Sequence, residues 1–203
     1  MAGPDAAFWQ TRFETGTTPW DRGAASPQLL RWRDQGAFVP GATVLVPGCG
    51  SGWELAELAA AGVTVTGLDY AAAAVARSTK LLADRGLRAE VIEADVLQWS
   101  PPRPVDAIYE QTCLCALHPD HWTAYASQLH TWLRPGGQLL ALFMQAPSAG
   151  AADGFVTGPP YHCDIHAMRA LFPSTRWSWP KPPYERVVHP LGAHELALVL
   201  TRL

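Results

Sequence analysis

The stretch Thr43-Val44-Leu45-Val46-Pro47-Gly48-Cys49-Gly50-Ser51-Gly52 joins a short apolar run to a cluster of three glycines. An apolar run of this length that is followed at once by glycines is typical of a buried strand entering a tight turn. Residues 53–61 are rich in Ala, Leu and Glu, which favour a helix, and Gly62 is a suitable C-cap. The stretch therefore predicts a strand, a glycine turn and a helix in succession.

The same alternation continues on the C-terminal side of this unit. The predicted strands are residues 63–68, 89–94, 105–109 and 138–144, and the predicted helices are residues 71–85 and 121–133. Repeated strand–helix–strand units with short links imply parallel strands joined by right-handed crossovers. Residues 184–189 and 195–200 flank a short turn and predict an antiparallel hairpin. The chain is thus expected to form an α/β doubly wound sheet, seven-stranded and mostly parallel, which ends in this hairpin.

Residues 1–203 are expected to form a single domain, with residues 42–203 as its α/β core. Two segments fall outside the alternating scheme: residues 1–40, which contain three tryptophans, and residues 146–183, which are rich in Gly, Pro and aromatic residues. In a doubly wound sheet, ligands bind outside the carboxyl ends of the strands. We therefore expect residues 1–40 to form an N-terminal cap over this edge, and residues 146–183 to form an insertion on the substrate side.

The composition argues against several classes of partner. Hydrophobic residues make up 48% of the chain and charged residues 16%, and the net charge is −3 with no basic patch. No nucleic-acid or membrane partner is therefore expected. The apolar runs are too short to span a bilayer, and the N-terminus does not resemble a secretion signal. The four cysteines and the histidines match no disulfide or compact zinc pattern, so we expect no metal and a cytoplasmic location.

The glycine loop (residues 48–52) and Asp69 together indicate a nucleoside site. Glycines allow a sharp turn and a close approach of a ligand to the backbone, although the loop alone is also compatible with a plain turn. Asp69 ends the second predicted strand, 21 positions after Gly48, where a carboxylate can accept hydrogen bonds from a ribose diol. Dinucleotide dehydrogenases have the spacing G-x-G-x-x-G. Here the third glycine comes one residue earlier, which is the pattern of S-adenosylmethionine-dependent methyltransferases.

Further motifs occur in an order that resembles one group of these enzymes. They are Phe8-Trp9, Thr18-Pro19-Trp20-Asp21-Arg22-Gly23, Val44–Gly50, Gly67-Leu68-Asp69, Asp95-Val96, residues 109–117, residues 133–137 and Gly158-Pro159-Pro160-Tyr161. With this set the chain resembles the thiopurine methyltransferase superfamily, and most of all its plant and bacterial halide/thiol methyltransferases. The resemblance includes Val46-Pro47, where most methyltransferases have an acidic residue two positions before the first glycine. It covers nearly the whole chain.

The resemblance implies that two tryptophans bind the cofactor. Trp9 and Trp20 would pack around the methionine and sulfonium end of S-adenosylmethionine, since aromatic faces attract a cation. The alternative is that both are core tryptophans of an N-terminal helix and loop.

The resemblance also implies contacts at the carboxyl ends of the first three strands. Gly48, with Gly50 in the same loop, would contact the methionyl group through the backbone, and Asp69 would hold the ribose hydroxyls. Asp95 would accept a hydrogen bond from the adenine amino group, and the amide of Val96 would point at the ring. The alternative for Asp95 is a structural carboxylate in the loop after the third strand.

Three residues are predicted near the point of methyl transfer. Glu110 closes the fourth predicted strand and would face the transferring methyl group. Gln111 matches a position that contacts the cofactor in the family. Tyr161 matches a tyrosine near the substrate in the halide/thiol branch, and packing against the cap is its alternative.

The implied reaction is methyl transfer from S-adenosylmethionine to a small-molecule nucleophile by in-line displacement, with S-adenosylhomocysteine as product. A thiolate, hydrosulfide, thiocyanate or halide acceptor needs no strong base, so catalysis would rest on alignment and desolvation. Two alternatives stay open: methylation of aromatic thiols or of reduced selenium and tellurium species, and cofactor binding without catalysis. We expect a monomer or a weak homodimer.

Overall fold

The computed structural model describes residues 3–147 and 156–203, which form α-helices and one β-sheet. The helices are α1 (Ala6–Glu14), α2 (Pro27–Asp34), α3 (Trp53–Ala60), α4 (Ala72–Asp84), α5 (Cys113–Ala116), α6 (Trp122–Trp132) and α7 (Ile165–Leu171). The strands are β1 (Thr43–Pro47), β2 (Thr64–Asp69), β3 (Glu90–Glu93), β4 (Val105–Gln111), β5 (Leu133–Gln145), β6 (Trp177–Ser178), β7 (Glu185–Val188) and β8 (His194–Arg202).

The sheet has the order β3-β2-β1-β4-β5-β8, and β6 and β7 both pair with the free edge of β8. The first five strands pair in parallel, whereas β8 runs antiparallel to β5 and β7. The predicted doubly wound, mostly parallel sheet with a C-terminal hairpin is confirmed. The predicted number of seven strands is one too low, because two short strands share the edge position. Strand β6 has two residues, too few to show an alternating pattern.

The core lies on both faces of the sheet because alternate side chains of the central strands point to opposite sides. In β5, Leu139, Ala141 and Phe143 belong to one buried cluster, whereas Leu140 and Leu142 belong to the other. The first cluster packs against α6 and α7, and the second packs against α2 and α3. A central strand that is buried on both faces reads as a continuous apolar run, which is why the sequence revealed this strand clearly.

The N-terminal segment is attached to the sheet through α1 and α4. The Gln10 side chain accepts a hydrogen bond from the amide of Ala73 at 3.0 Å, and Arg77 donates to the carbonyl of Phe13 at 2.7 Å. Because α4 follows β2, these contacts place α1 beside the carboxyl ends of the strands. None of the helices in the two described ranges is long and apolar enough to cross a membrane, and α4, at 13 residues, is the longest of them.

The predicted insertion at residues 146–183 contributes to two different parts of the molecule. Its residues 148–155 lie outside the described ranges. Pro159 and Pro160 line a cavity at the carboxyl edge of the sheet. Further along, Met168, Phe172 and Trp177 are buried in the core, so α7 and β6 complete the sheet domain and do not cover the cavity.

Candidate active site

A cavity of about 570 Å³ lies outside the carboxyl ends of the parallel strands. Its lining follows the order of the sheet: Asp95 after β3, Asp69 at the end of β2, Gly48 after β1, Thr112 after β4 and Met144 in β5. These positions span four strand spacings, or roughly 19 Å. The volume falls within the range of small-molecule sites, and the chain order reverses between β1 and β4, where such folds bind their ligands.

The glycine loop crosses the middle of this cavity with a backbone that favours glycine. Gly48, Gly50 and Gly52 have φ angles of 63°, 53° and 81°. A Cβ atom on Gly52 would lie 2.5 Å from the Cβ of Ser78, and one on Gly48 would lie 3.0 Å from the Cβ of Cys113. The loop is thus closely packed against α4 and α5, and the backbones of Gly48 and Gly50 face the cavity.

Asp69 holds the glycine loop and also lines the cavity. Its carboxylate accepts hydrogen bonds from the amides of Gly50 and Ala71, both at 3.0 Å, and the residue is 8% exposed. Burial raises the pKa of Asp69, and the hydrogen bonds from the two amides oppose this effect. An ionised carboxylate has about four acceptor positions, so Asp69 keeps capacity for hydroxyl groups of a ligand.

Asp95 and Val96 line the end of the cavity beyond β3. The Asp95 carboxylate accepts hydrogen bonds from the amide of Leu97 at 2.8 Å and from the side chain of Gln98 at 3.0 Å. These bonds fix the turn that follows β3, and Val96 is buried beside it. The two residues therefore form a rigid wall with one carboxylate at the cavity surface.

Trp9 and Trp20 line the cavity from the N-terminal side. Their rings meet edge to face with centroids 5.4 Å apart, and Phe13 packs against Trp20 at 6.1 Å. Both tryptophans are half-buried, so each has a surface left for a ligand. They are at the same time members of a small apolar cluster with Phe13, Ala71 and Ala74.

Glu110 does not reach the cavity, which corrects the prediction that it faces the transferring methyl group. It is 1% exposed, and its carboxylate accepts a hydrogen bond from the amide of Leu114 at 2.7 Å. Burial raises its pKa to about 7. The cause is a sharp turn at Thr112, whose φ is 63°. Helix α5 begins directly after this turn, so the amides of its first residues point toward the Glu110 carboxylate.

Tyr161 and Gln111 also lie outside the lining of the main cavity. Tyr161 is 5% exposed and packs edge to face against His118, although the preceding prolines line the cavity. The Gln111 side chain donates to Glu195 at 2.9 Å and accepts from the hydroxyl of Tyr109 at 2.6 Å. Gln111 instead lines a smaller side pocket. Substrate contact by Tyr161 and cofactor contact by Gln111 stay predictions.

The side pocket has a volume of about 70 Å³ and adjoins the main cavity. The residues that line both spaces are Trp20, Gly48, Gly50, Thr112 and His189. Its polar residues include Asp21, Arg22 and Glu54. Behind Gln111 lies the carboxylate of Glu195, which is fully buried and 3.9 Å from the guanidinium of Arg22. Burial raises the pKa of Glu195 to about 8.

Asp21, Arg22, His189 and Glu195 have no role among the predictions made from the sequence. Asp21 and Arg22 follow Trp20 directly within a quoted motif, and that proximity was a usable signal. Asp21 accepts hydrogen bonds from the side chains of Ser51 and Trp53. His189 and Glu195 lie on the C-terminal hairpin, and only the pairing of β8 with β5 brings them to the site.

A glycine loop after β1, an aspartate at the end of β2, another after β3 and a cavity across the switch point define a class I S-adenosylmethionine-dependent methyltransferase. A sequence model of the thiopurine S-methyltransferase (TPMT) family matches residues 4–197, and the chain belongs to that family. The solved structures agree on the fold. Magnesium protoporphyrin IX methyltransferase from Synechocystis PCC 6803, with bound S-adenosylhomocysteine, superposes with a TM-score of 0.76 at 17% identity, over 98% of this chain and all of that one.

Several named relatives of this chain are methyltransferases of sulfur compounds. A probable thiol methyltransferase 2 of Arabidopsis thaliana is 29% identical over 98% of this chain and 79% of its own length. Thiocyanate methyltransferase 1 of the same plant is 31% identical over 80% of this chain and 70% of its own length. A thiopurine S-methyltransferase of Pseudomonas fluorescens is 29% identical over 84% of this chain and 83% of its own length.

Proposed function

We propose that this methyltransferase acts on a small sulfur or halide nucleophile, namely a thiol, hydrosulfide, thiocyanate or halide. Relatives of the chain are named for thiols and thiocyanate, which supports this choice. The proposal includes a small-molecule acceptor, a cytoplasmic location, a monomeric or weakly dimeric state and no nucleic-acid or membrane partner.

One observation carries the proposal: among the residues that the structure describes, the acceptor end of the cavity has no carboxylate and no lysine. We define this end as the part formed by residues after β4, by β5, by residues 159–160 and by the β7–β8 turn. Its described lining is largely apolar and includes Cys115, Leu117, Met144, Pro159, Pro160 and Leu191, with histidines at 121 and 189. A neutral alcohol or amine acceptor would need a base, and in the described lining of this end only the two histidines could serve as one. A thiolate, hydrosulfide or halide is already a nucleophile.

In this proposal the rest of the cavity holds S-adenosylmethionine through the residues predicted from the sequence. Asp95 and Val96 would hold the adenine, and Asp69 would hold the ribose hydroxyls. The backbone of Gly48 would bind the methionyl group. The fit is supported by the lone pairs that Asp69 keeps toward the cavity, and by a glycine backbone that exposes no side chain there.

When bound, S-adenosylmethionine supplies an electrophilic methyl group on a positively charged sulfur. Trp9 and Trp20 would stabilise this charge through their ring faces and exclude water from it. The apolar acceptor end would desolvate the incoming anion and hold that anion in line with the methyl group. When the acceptor enters as an anion, no side chain needs to supply or remove a proton.

The cavity cysteines do not compete for the methyl group. Cys113 and Cys115 line the cavity, and burial raises the pKa of each thiol well above its ordinary value. Because the thiolate is the reactive form, both thiols stay protonated and inert. A small ionised acceptor therefore reacts in preference to the protein.

The test is a methyl-transfer assay with hydrosulfide, thiocyanate, iodide and a bulky aryl thiol side by side. We expect methylated product from the small nucleophiles and little from the aryl thiol. Transfer to the aryl thiol alone would favour an aromatic-thiol enzyme. Cofactor binding by calorimetry without turnover on any acceptor would refute catalysis of this class.

A further inference from the structure

His189 lies where the main cavity meets the side pocket, and the reaction described above assigns it no role. It begins the turn between β7 and β8 and is 2% exposed. Its amide donates to the carbonyl of Ala193 and its carbonyl accepts from the amide of Gly192, both at 3.0 Å. The backbone of the turn therefore fixes the position from which the imidazole enters the site.

The same turn fixes which ring nitrogen carries the proton. The amide of Leu191 donates a hydrogen bond to Nδ1 of His189 at 3.3 Å. A backbone amide can only donate, so Nδ1 must be unprotonated, and the neutral ring then has its proton on Nε2. Burial and the nearby guanidinium of Arg22 lower the pKa of His189 to about 4. The ring is thus a neutral Nε2–H donor at physiological pH.

The part of the chain that the structure describes makes no use of this donor. Arg22 is engaged with the carbonyl of Val188 and with Glu195, and Gln111 also binds Glu195. Within residues 3–147 and 156–203, no group accepts a hydrogen bond from Nε2 of His189. His189 lines the main cavity together with Leu191 from the same turn.

We propose that His189 is an acceptor-binding residue: its Nε2–H donates a hydrogen bond to the anionic atom of the nucleophile and aims that atom at the methyl group. The inference rests on the proposed function. An anion in a largely apolar cavity has lost its hydration, and a single fixed donor compensates for part of that loss.

The transfer step balances without help from His189. The acceptor's lone pair forms the new bond to the methyl carbon, and the carbon–sulfur bond of the sulfonium breaks with its electron pair staying on sulfur. The imidazole keeps its proton throughout. A neutral donor therefore suits this step better than a charged one, which would hold the anion too tightly.

Two substitutions separate this role from a purely structural one. Asparagine in H189N keeps an oxygen near the Nδ1 position for the Leu191 amide but cannot reach the Nε2 position. Glutamine in H189Q places an amide N–H near Nε2 but gives up the Nδ1 acceptor. We expect H189N to raise KM for hydrosulfide or thiocyanate about 10- to 100-fold, which is the range of one charge-assisted hydrogen bond. We expect H189Q to stay within about fivefold of the wild type.

If KM rose more in H189Q than in H189N, or equally in both variants, the ring would act only by stabilising the turn. Either result would overturn the proposal. Affinity for S-adenosylhomocysteine, measured by calorimetry, should match the wild type in both variants. A selective loss of that affinity would assign the donor to the cofactor and would also overturn the proposal. If the wild-type protein methylates none of the acceptors, the proposed function fails first, so the two failures are distinguishable.

A measurement on the unaltered protein covers the case in which a variant fails to fold. Nitrogen-15 spectra of the histidine rings should show His189 as the neutral Nε2–H form. Adding thiocyanate to the protein saturated with S-adenosylhomocysteine should shift the Nε2 resonance of His189. No shift at thiocyanate concentrations that saturate the enzyme in turnover would refute the contact.

Discussion

Replacement of Asp69 by alanine tests the link between the glycine loop and the cofactor. The substitution removes the acceptor of two amide hydrogen bonds, each 3.0 Å long, and the proposed ribose contact. A hydrogen bond to a charged group contributes about 1.5–3 kcal/mol, which corresponds to an affinity loss of about 12- to 140-fold. The two amides left unpaired in a buried place each cost about 1–3 kcal/mol of stability.

The assay is calorimetric titration with S-adenosylhomocysteine, together with a thermal unfolding scan of each variant. The matched control is E93A, because Glu93 is the register partner of Asp69 at the end of the neighbouring strand and is exposed to solvent. We expect E93A to bind like the wild type. An Asp69→Ala protein that is folded and binds S-adenosylhomocysteine within twofold of the wild type would refute the ribose assignment.

Three further predictions concern the cap, the loop and the buried acids. Trp20→Ala should weaken cofactor affinity and turnover together, whereas a lower melting temperature alone would assign Trp20 to the core. Gly52→Ala should destabilise by about 2–5 kcal/mol in denaturant unfolding, from its left-handed backbone and the 2.5 Å contact with Ser78. Gly86→Ala, with open space around it, should cost only about 1–2 kcal/mol. Burial raises the pKa of Glu195 from 4.5 to about 8, so the folded protein holds this proton more tightly than the unfolded chain does. The protonated side chain therefore stabilises the fold fully below pH 4.5, and this stabilisation is lost as the pH rises through about 8. Glu195→Gln should flatten that decline in melting temperature, and an unchanged slope would contradict the shift.

The fold could be predicted because its decisive signals are local. The apolar run of β1, the glycines that follow it and the helix α3 are adjacent in the chain, and each propensity agrees with its neighbour. The same holds for the β7–β8 hairpin, whose turn residues lie between two alternating runs. Strand β6 gave no such signal, since it exists only because β8 offers an unpaired edge at Thr201 and Arg202.

The site was predictable where function depends on the backbone path, and less so where it depends on tertiary packing. Asp69 and Asp95 follow strand ends, so the topology alone takes them to the cavity. Glu110 also ends a strand, but the turn at Thr112 buries its carboxylate under α5. His189 is 120 positions from Asp69 in the sequence, and no local pattern could have placed the two at one cavity.

The N-terminal cap connects the two halves of the proposed reaction. Asp21 accepts hydrogen bonds from the side chains of Ser51 and Trp53 on the glycine loop side, which would hold the cofactor. The next residue, Arg22, donates to the carbonyl of Val188, directly before His189 on the acceptor side. Because these two anchors are adjacent in the chain, a displacement of the cap would disturb the methyl donor and its acceptor together. This coupling suits a reaction in which alignment and exclusion of water replace acid–base chemistry.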